Sequence, residues 1–281
     1  MKVQACRWFT THVGFVNSDG FFECDGRFRR PANYKACFER YDFEIRNGWL
    51  STAYLDRPKT KGSWNVDIHE DKYEFYATIF RAAHHYYYED IKGLRRPPLN
   101  GFWKTQMKLR AYMENNNHSN GNHSAIRRFL GLGSAIKIYN PDRNSMDIYG
   151  TVIHELAHAS HWDMDKSGYN GSSDIVAESW ARGVQWDLTR MVYPSYRGGP
   201  FIRPNYTQVV VDMIDPNYLS NELNVNNGLW NDNVQGYTIR QIEDALIGQK
   251  TWNGWRDNII RMYNNETEHN LPTLFEYWRT R

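Results

Sequence analysis

The run His154-Glu155-Leu156-Ala157-His158 constrains this chain more than any other feature. Two imidazoles four residues apart lie one turn apart on the same side of an α-helix, so both can reach one metal ion. Glu155 follows His154 directly and can reach a water bound to that ion. The pattern demands an unbroken helix, and no proline, glycine or additional charge interrupts Ile153 to Ser160. The helix is predicted over about Met146 to Trp162, with Asn144 or Ser145 as its cap. Ile148, Val152, Leu156 and Ala159 form an apolar stripe, so one side is expected to pack on a sheet.

Zinc suits such a site, because it takes nitrogen and oxygen ligands in a tetrahedron and leaves one position for water when the site is catalytic. A third protein ligand is then required. His161 lies too far along a straight helix, since seven residues span about 10 Å of axis. Glu178, twenty residues beyond His158, is the better candidate. It falls near the start of a helix predicted over Asp174 to Val192, whose buried stripe is Val176, Trp180, Val184, Leu188 and Met191. A carboxylate among Ile175, Val176 and Ala177 needs a partner, and a metal would serve. The alternatives are an exposed Glu178–Arg182 pair at i,i+4, with Asp174 as the replacement ligand.

The rest of the chain reads as α+β. Residues 1–58 are predicted as a small β-sandwich-like module. Its signals are the Ser18-Asp19-Gly20 turn between Val13–Phe15 and Phe21-Phe22, alternation through Tyr34, Ala36 and Phe38, and the Asn47-Gly48 turn after Tyr41, Phe43 and Ile45. The breaker-rich segment Arg57–Gly62 marks the boundary, and 59–281 is the second domain. There, a helix is expected over Glu70–Tyr88, strands over Gln106–Tyr112 and Ala135–Tyr139, and a solvated loop over Asn115–Ser124. Three further helices are expected over Ile239–Leu246, Trp252–Tyr263 and Leu271–Trp278, the first capped by Thr238 and Gln241.

Composition excludes several classes. With 34 basic against 32 acidic residues the net charge is +2, too small for nucleic-acid binding by bulk electrostatics. No apolar run is long enough for a transmembrane segment. Cys6, Cys24 and Cys37 are neither a disulfide framework nor a thiolate metal site, and whether two of them are bridged stays open. The first residues lack the apolar core of a signal peptide. Aromatic residues make up 15% of the chain. Packing is their expected role, and a surface gripping glycans is the other.

His154-Glu155-Leu156-Ala157-His158 followed by Glu178 resembles the gluzincins, the thermolysin-like zinc metallopeptidases. The resemblance implies a zincin-like catalytic domain in which His154, His158 and Glu178 hold Zn2+ and Glu155 is the general base acting on a peptide or protein substrate. It implies an oxyanion-stabilising donor, for which Tyr237, Tyr196 and His269 are candidates, and substrate pairing along Ala135–Tyr139 as an edge strand. Two positions depart from the family pattern: Arg182 stands where an Asp is usual, and Ser160 where an apolar residue is usual. Gly14 and Asp19-Gly20-Phe21-Phe22 resemble the latter part of carboxypeptidase regulatory-like β-modules. Secreted peptidases commonly carry such modules, so an extracytoplasmic location is expected. The alternatives are a non-catalytic binding protein on the same fold and a zinc hydrolase of a non-peptide amide.

Overall fold

The computed structural model of the protein describes residues 1–48, 51–57, 59–68, 71–101, 105–113, 121–123, 135–139, 144–198, 205–215 and 233–280. The chain is α+β and forms two compact units, Met1–His84 with Leu99–Ile148, and His85–Pro98 with Tyr149–Arg281.

The first unit holds two sheets. One is antiparallel in the order β2-β1-β3-β6, built from β1 (Lys2–Arg7), β2 (Thr10–Phe15), β3 (Asn33–Cys37) and β6 (Tyr54–Asp56). Val3 and Ala36 pack on Trp64 at its core, with Phe22, Tyr34 and Leu55 around them. A tight hairpin at Trp8-Phe9, unmarked in the sequence reading, joins β1 to β2, where Arg7 pairs with Thr10. The expected Ser18-Asp19-Gly20 turn also forms: Asn17 Oδ1 accepts from the Asp19 and Phe21 amides, and the returning chain meets β2 only at an antiparallel bridge between Cys24 and Gly14, so Phe21-Phe22 starts no strand.

The second sheet is mixed, in the order β5-β4-β7-β9-β8, from β4 (Phe43–Asn47), β5 (Ser51–Thr52), β7 (Met107–Tyr112), β8 (Gly121–His123) and β9 (Ala135–Tyr139). β4 pairs in parallel with β7 from Phe43↔Met107 to Asn47↔Ala111. A parallel pair needs a long crossover. Helix α1 (Asp71–Tyr88) lies within that connection, and its Phe80 ring meets Phe43 at 5.3 Å. After Gly48, at φ +61, β5 returns antiparallel to β4 with Asn47 opposite Ser51; of the expected returning strand, residues 49 and 50 lie outside the described residues. Two expectations change at the far side. Ala135–Tyr139 is not the edge, because it pairs with β7 on one side and β8 on the other. Gly121–His123 of the expected loop is that antiparallel edge strand.

The second unit is helical among the described residues. Helix α2 (Ser145–Met164) enters it at Tyr149 and leads to α3 (Lys166–Gly171), α4 (Asp174–Val192), α5 (Val209–Ile214), α6 (Ile239–Leu246), α7 (Trp252–Met262) and α8 (Leu271–Arg279). Local chemistry sets the boundaries. Asn144 Oδ1 accepts from the Asp147 amide, Asp165 caps α3, and Thr238 with Gln241 completes a reciprocal capping box on α6. Trp180, Val184, Trp255, Ile242, Leu246 and Phe275 are buried in this unit. Gly183 lets α5 approach α4: a Cβ there would lie 2.2 Å from the Val210 side chain.

Candidate metal centre

Helix α2 is buried on every side from Val152 to Trp162, not along one stripe. The enclosed polar residues are His154, Glu155, His158, Ser160 and His161, a costly set to bury without partners. Ser160 is accounted for, since its hydroxyl donates to Arg95 O at 2.9 Å. α4 runs antiparallel beside α2. Gly150 on α2 faces the Gln185 side chain on α4, and His158 faces Glu178, one pair toward each end. Gly150 is needed there because a Cβ would sit 2.7 Å from Tyr196 Oη.

Three ligand atoms from these two helices converge. His154 Nε2 lies 3.1 Å from Glu178 Oε2, His158 Nε2 lies 3.3 Å from the same oxygen, and the two Nε2 atoms are 3.2 Å apart. The group can hold a metal ion. Zinc bonds of the usual length give a tetrahedron with edges of about 3.3–3.5 Å, close to all three separations. At most one of the facing nitrogens can donate to the other, whereas a cation accepts both lone pairs and the carboxylate. Both Nδ1 atoms are buried without a hydrogen-bond partner among the described residues.

The electrostatics follow from burial against charge. Burial pushes the His154 imidazole below the usual histidine range, although Glu178 pulls it up. Burial acts the same way on His158, but there the Glu178 and Glu155 carboxylates prevail and the value rises. Glu178 would be raised by burial, yet its contacts with the two imidazoles hold it well below the carboxylate range. Burial lifts Glu155 to about 7, with His158 opposing and Glu178 assisting. A carboxyl poised near neutrality suits a proton acceptor that later becomes a donor.

The structure brings together His154, His158 and Glu178, with Glu155 beside them. Asp174, the replacement ligand, lies in the first turn of α4 and outside the cluster. Arg182, the other partner considered for Glu178, is itself buried, facing Tyr196 and Tyr206, with its charge disfavoured by desolvation. His161 is buried at 1% exposure with its ring edge-on to Tyr169 at 5.0 Å.

Of the three donor candidates, Tyr237 is buried beside Glu268, His269 is exposed on a short turn at Glu268–Asn270, and Tyr196 accepts from Gln185 Nε2 at 2.6 Å next to Gly150. Among the described residues, two other tyrosine rings lie against the cluster's imidazoles. Tyr206 stacks on His154 at 5.9 Å with 16° between planes, and Tyr169 stands edge-on to His158 at 6.0 Å. Burial, together with the Glu155 and Glu178 carboxylates, raises the Tyr169 phenol and keeps it a proton donor. Sequence reading missed Tyr169 because it falls in the Tyr169–Ser173 turn region, where no periodicity marks a functional side chain. Comparison of the chain with known protein families, with curated proteins and with solved structures yields no match.

Proposed function

We propose that the protein is a zinc-dependent metallopeptidase. The observation that carries this reading is the near-tetrahedral spacing of His154 Nε2, His158 Nε2 and Glu178 Oε2, with a buried carboxyl beside them on the same helix. These three residues would hold the ion. Bound zinc supplies Lewis acidity toward a water and a carbonyl oxygen. Glu155 accepts the proton of the attacking water on its carboxylate and passes it to the nitrogen of the leaving amine. Its burial sets its basicity for both transfers, being neither too weak to accept nor too strong to release at neutral pH. Tyr169, whose ring stands edge-on to His158, is the candidate donor toward the oxygen on which negative charge develops. Tyr206 and Tyr169 fix the two imidazoles by packing, which preserves the ligand geometry.

The test is a peptide-library digest by the zinc-loaded protein with Glu155→Gln as control. Cleavage by the native protein and none by the variant, at equal zinc content, is the expected result. Equal cleavage by both would reject the assignment of the base, and no cleavage by either would favour a binding role.

A further inference from the structure

The antiparallel sheet of the first unit ends in a feature that the metal centre does not use. Its β1–β2 hairpin turns through two large aromatics, Trp8 and Phe9, which are 83% and 104% exposed. Two-residue hairpin turns favour Gly, Asn or Asp, since their central residues take positive φ. Here Trp8 sits at φ +54, a conformation that is unfavourable for a bulky side chain. Neither ring contributes to the core. Strain and exposed apolar surface at one point indicate use of that point.

The chain around this apex is basic. The register Cys6↔Asn33 places the residues preceding β3 alongside the hairpin turn. Arg7 Nη1 donates to Pro31 O at 2.7 Å, which fixes exposed Arg29 and Arg30 at that end. Ala32 exchanges both backbone hydrogen bonds with Thr60, so exposed Lys59 and Lys61 arrive at the same end. Asp25 and Asp56 are set back from it, at Val13 and opposite Lys35. Two aromatic rings thus project from an apex, and Arg7, Arg29, Arg30, Lys59 and Lys61 surround its base.

We propose that this aromatic apex and basic rim dock the protein onto an anionic lipid surface. Tryptophan and phenylalanine partition into the headgroup region of a bilayer, and lysine and arginine at its surface are attracted by anionic lipids. An apex suits insertion into a soft interface. Recognition of a nucleic-acid base or a sugar would call for a platform or groove flanking the ring, and Phe9 has no such wall. The inference is independent of the metal centre.

The test is co-sedimentation of the full chain with phosphatidylcholine vesicles containing about 30 mol% phosphatidylserine, beside vesicles of phosphatidylcholine alone. Binding should require the anionic lipid and weaken with salt. Trp8→Ser/Phe9→Ser and Arg29→Glu/Arg30→Glu should each reduce it by about tenfold or more. Equal binding to both vesicle types, or unchanged binding by the aromatic variant, would overturn the proposal. So would binding to heparin or duplex DNA that surpasses vesicle binding and ignores Trp8 and Phe9. Acyl-chain-brominated lipid supplies a second measurement that does not depend on the harsher variants folding. It should quench native fluorescence more than that of Trp8→Phe, and equal quenching would contradict insertion of the apex.

Discussion

Glu155 and Asp165 show how burial and hydrogen bonding pull carboxyls in opposite directions. Glu155 is driven up by burial, and we expect Glu155→Gln to keep the metal while lowering turnover on the order of 10²–10⁴-fold. Metal analysis and peptide hydrolysis on one preparation check this, and retained turnover would place the base elsewhere. Asp165 accepts from the Gly168 amide at 2.9 Å and from the Gly248 amide at 2.6 Å. Burial alone would raise it, but these two bonds hold it below the ordinary aspartate value. The unfolded chain therefore binds the proton more readily than the folded one as pH falls, so stability rises with pH across this window. The contribution is complete above about pH 4 and is lost as pH drops through the depressed native value. Urea midpoints of the native protein and Asp165→Asn should accordingly converge below that pH. A constant gap would mean that the carboxylate charge contributes nothing.

Among the elements, helix ends and helix crossings make the sharpest claims. The α6 capping box has Thr238 Oγ1 accepting from the Gln241 amide at 3.2 Å and Gln241 Oε1 accepting from the Thr238 amide at 2.9 Å. Thr238→Ala should cost about 1 kcal/mol of stability. Gly183→Ala tests the α4–α5 crossing, since its methyl would meet Val210 within contact distance. A loss of about 1–3 kcal/mol in denaturant unfolding is expected, and a variant as stable as the native protein would show that the crossing is looser than described. The helices were legible in the sequence because their signals are local: Asp174–Val192 and Ile239–Leu246 are found with the expected limits, each defined by its apolar spacing and, for the latter, by its cap. Strand pairing was less legible. Alternation identifies a strand's two faces but not its neighbours, so nothing in Phe43–Asn47 announced Met107–Tyr112 as its partner. β1 escaped notice because its inward side chains are only Val3 and Ala5, and β8 because Gly121–His123 carries no apolar residue.

For the whole molecule, the candidate metal centre links the fold to the proposed chemistry. Its His154, His158 and Glu178 cluster was legible because the i,i+4 histidines fix one helix face and Glu178 sits in an apolar stretch where a charge needs a partner. Tyr169 and Tyr206 were not, because their relation to the imidazoles exists only after α2, α3 and the segment before α5 have packed. An ion that binds the folded chain and not the unfolded one stabilises it, so adding zinc at about a hundred times its dissociation constant should raise unfolding stability by about 2.7 kcal/mol. Glu178→Ala should remove most of that gain. The most direct measurement is zinc content after exhaustive dialysis, on the native protein and on His154→Ala/His158→Ala. One equivalent in the native protein and none in the variant is the predicted result; equal zinc in the two would contradict the centre described.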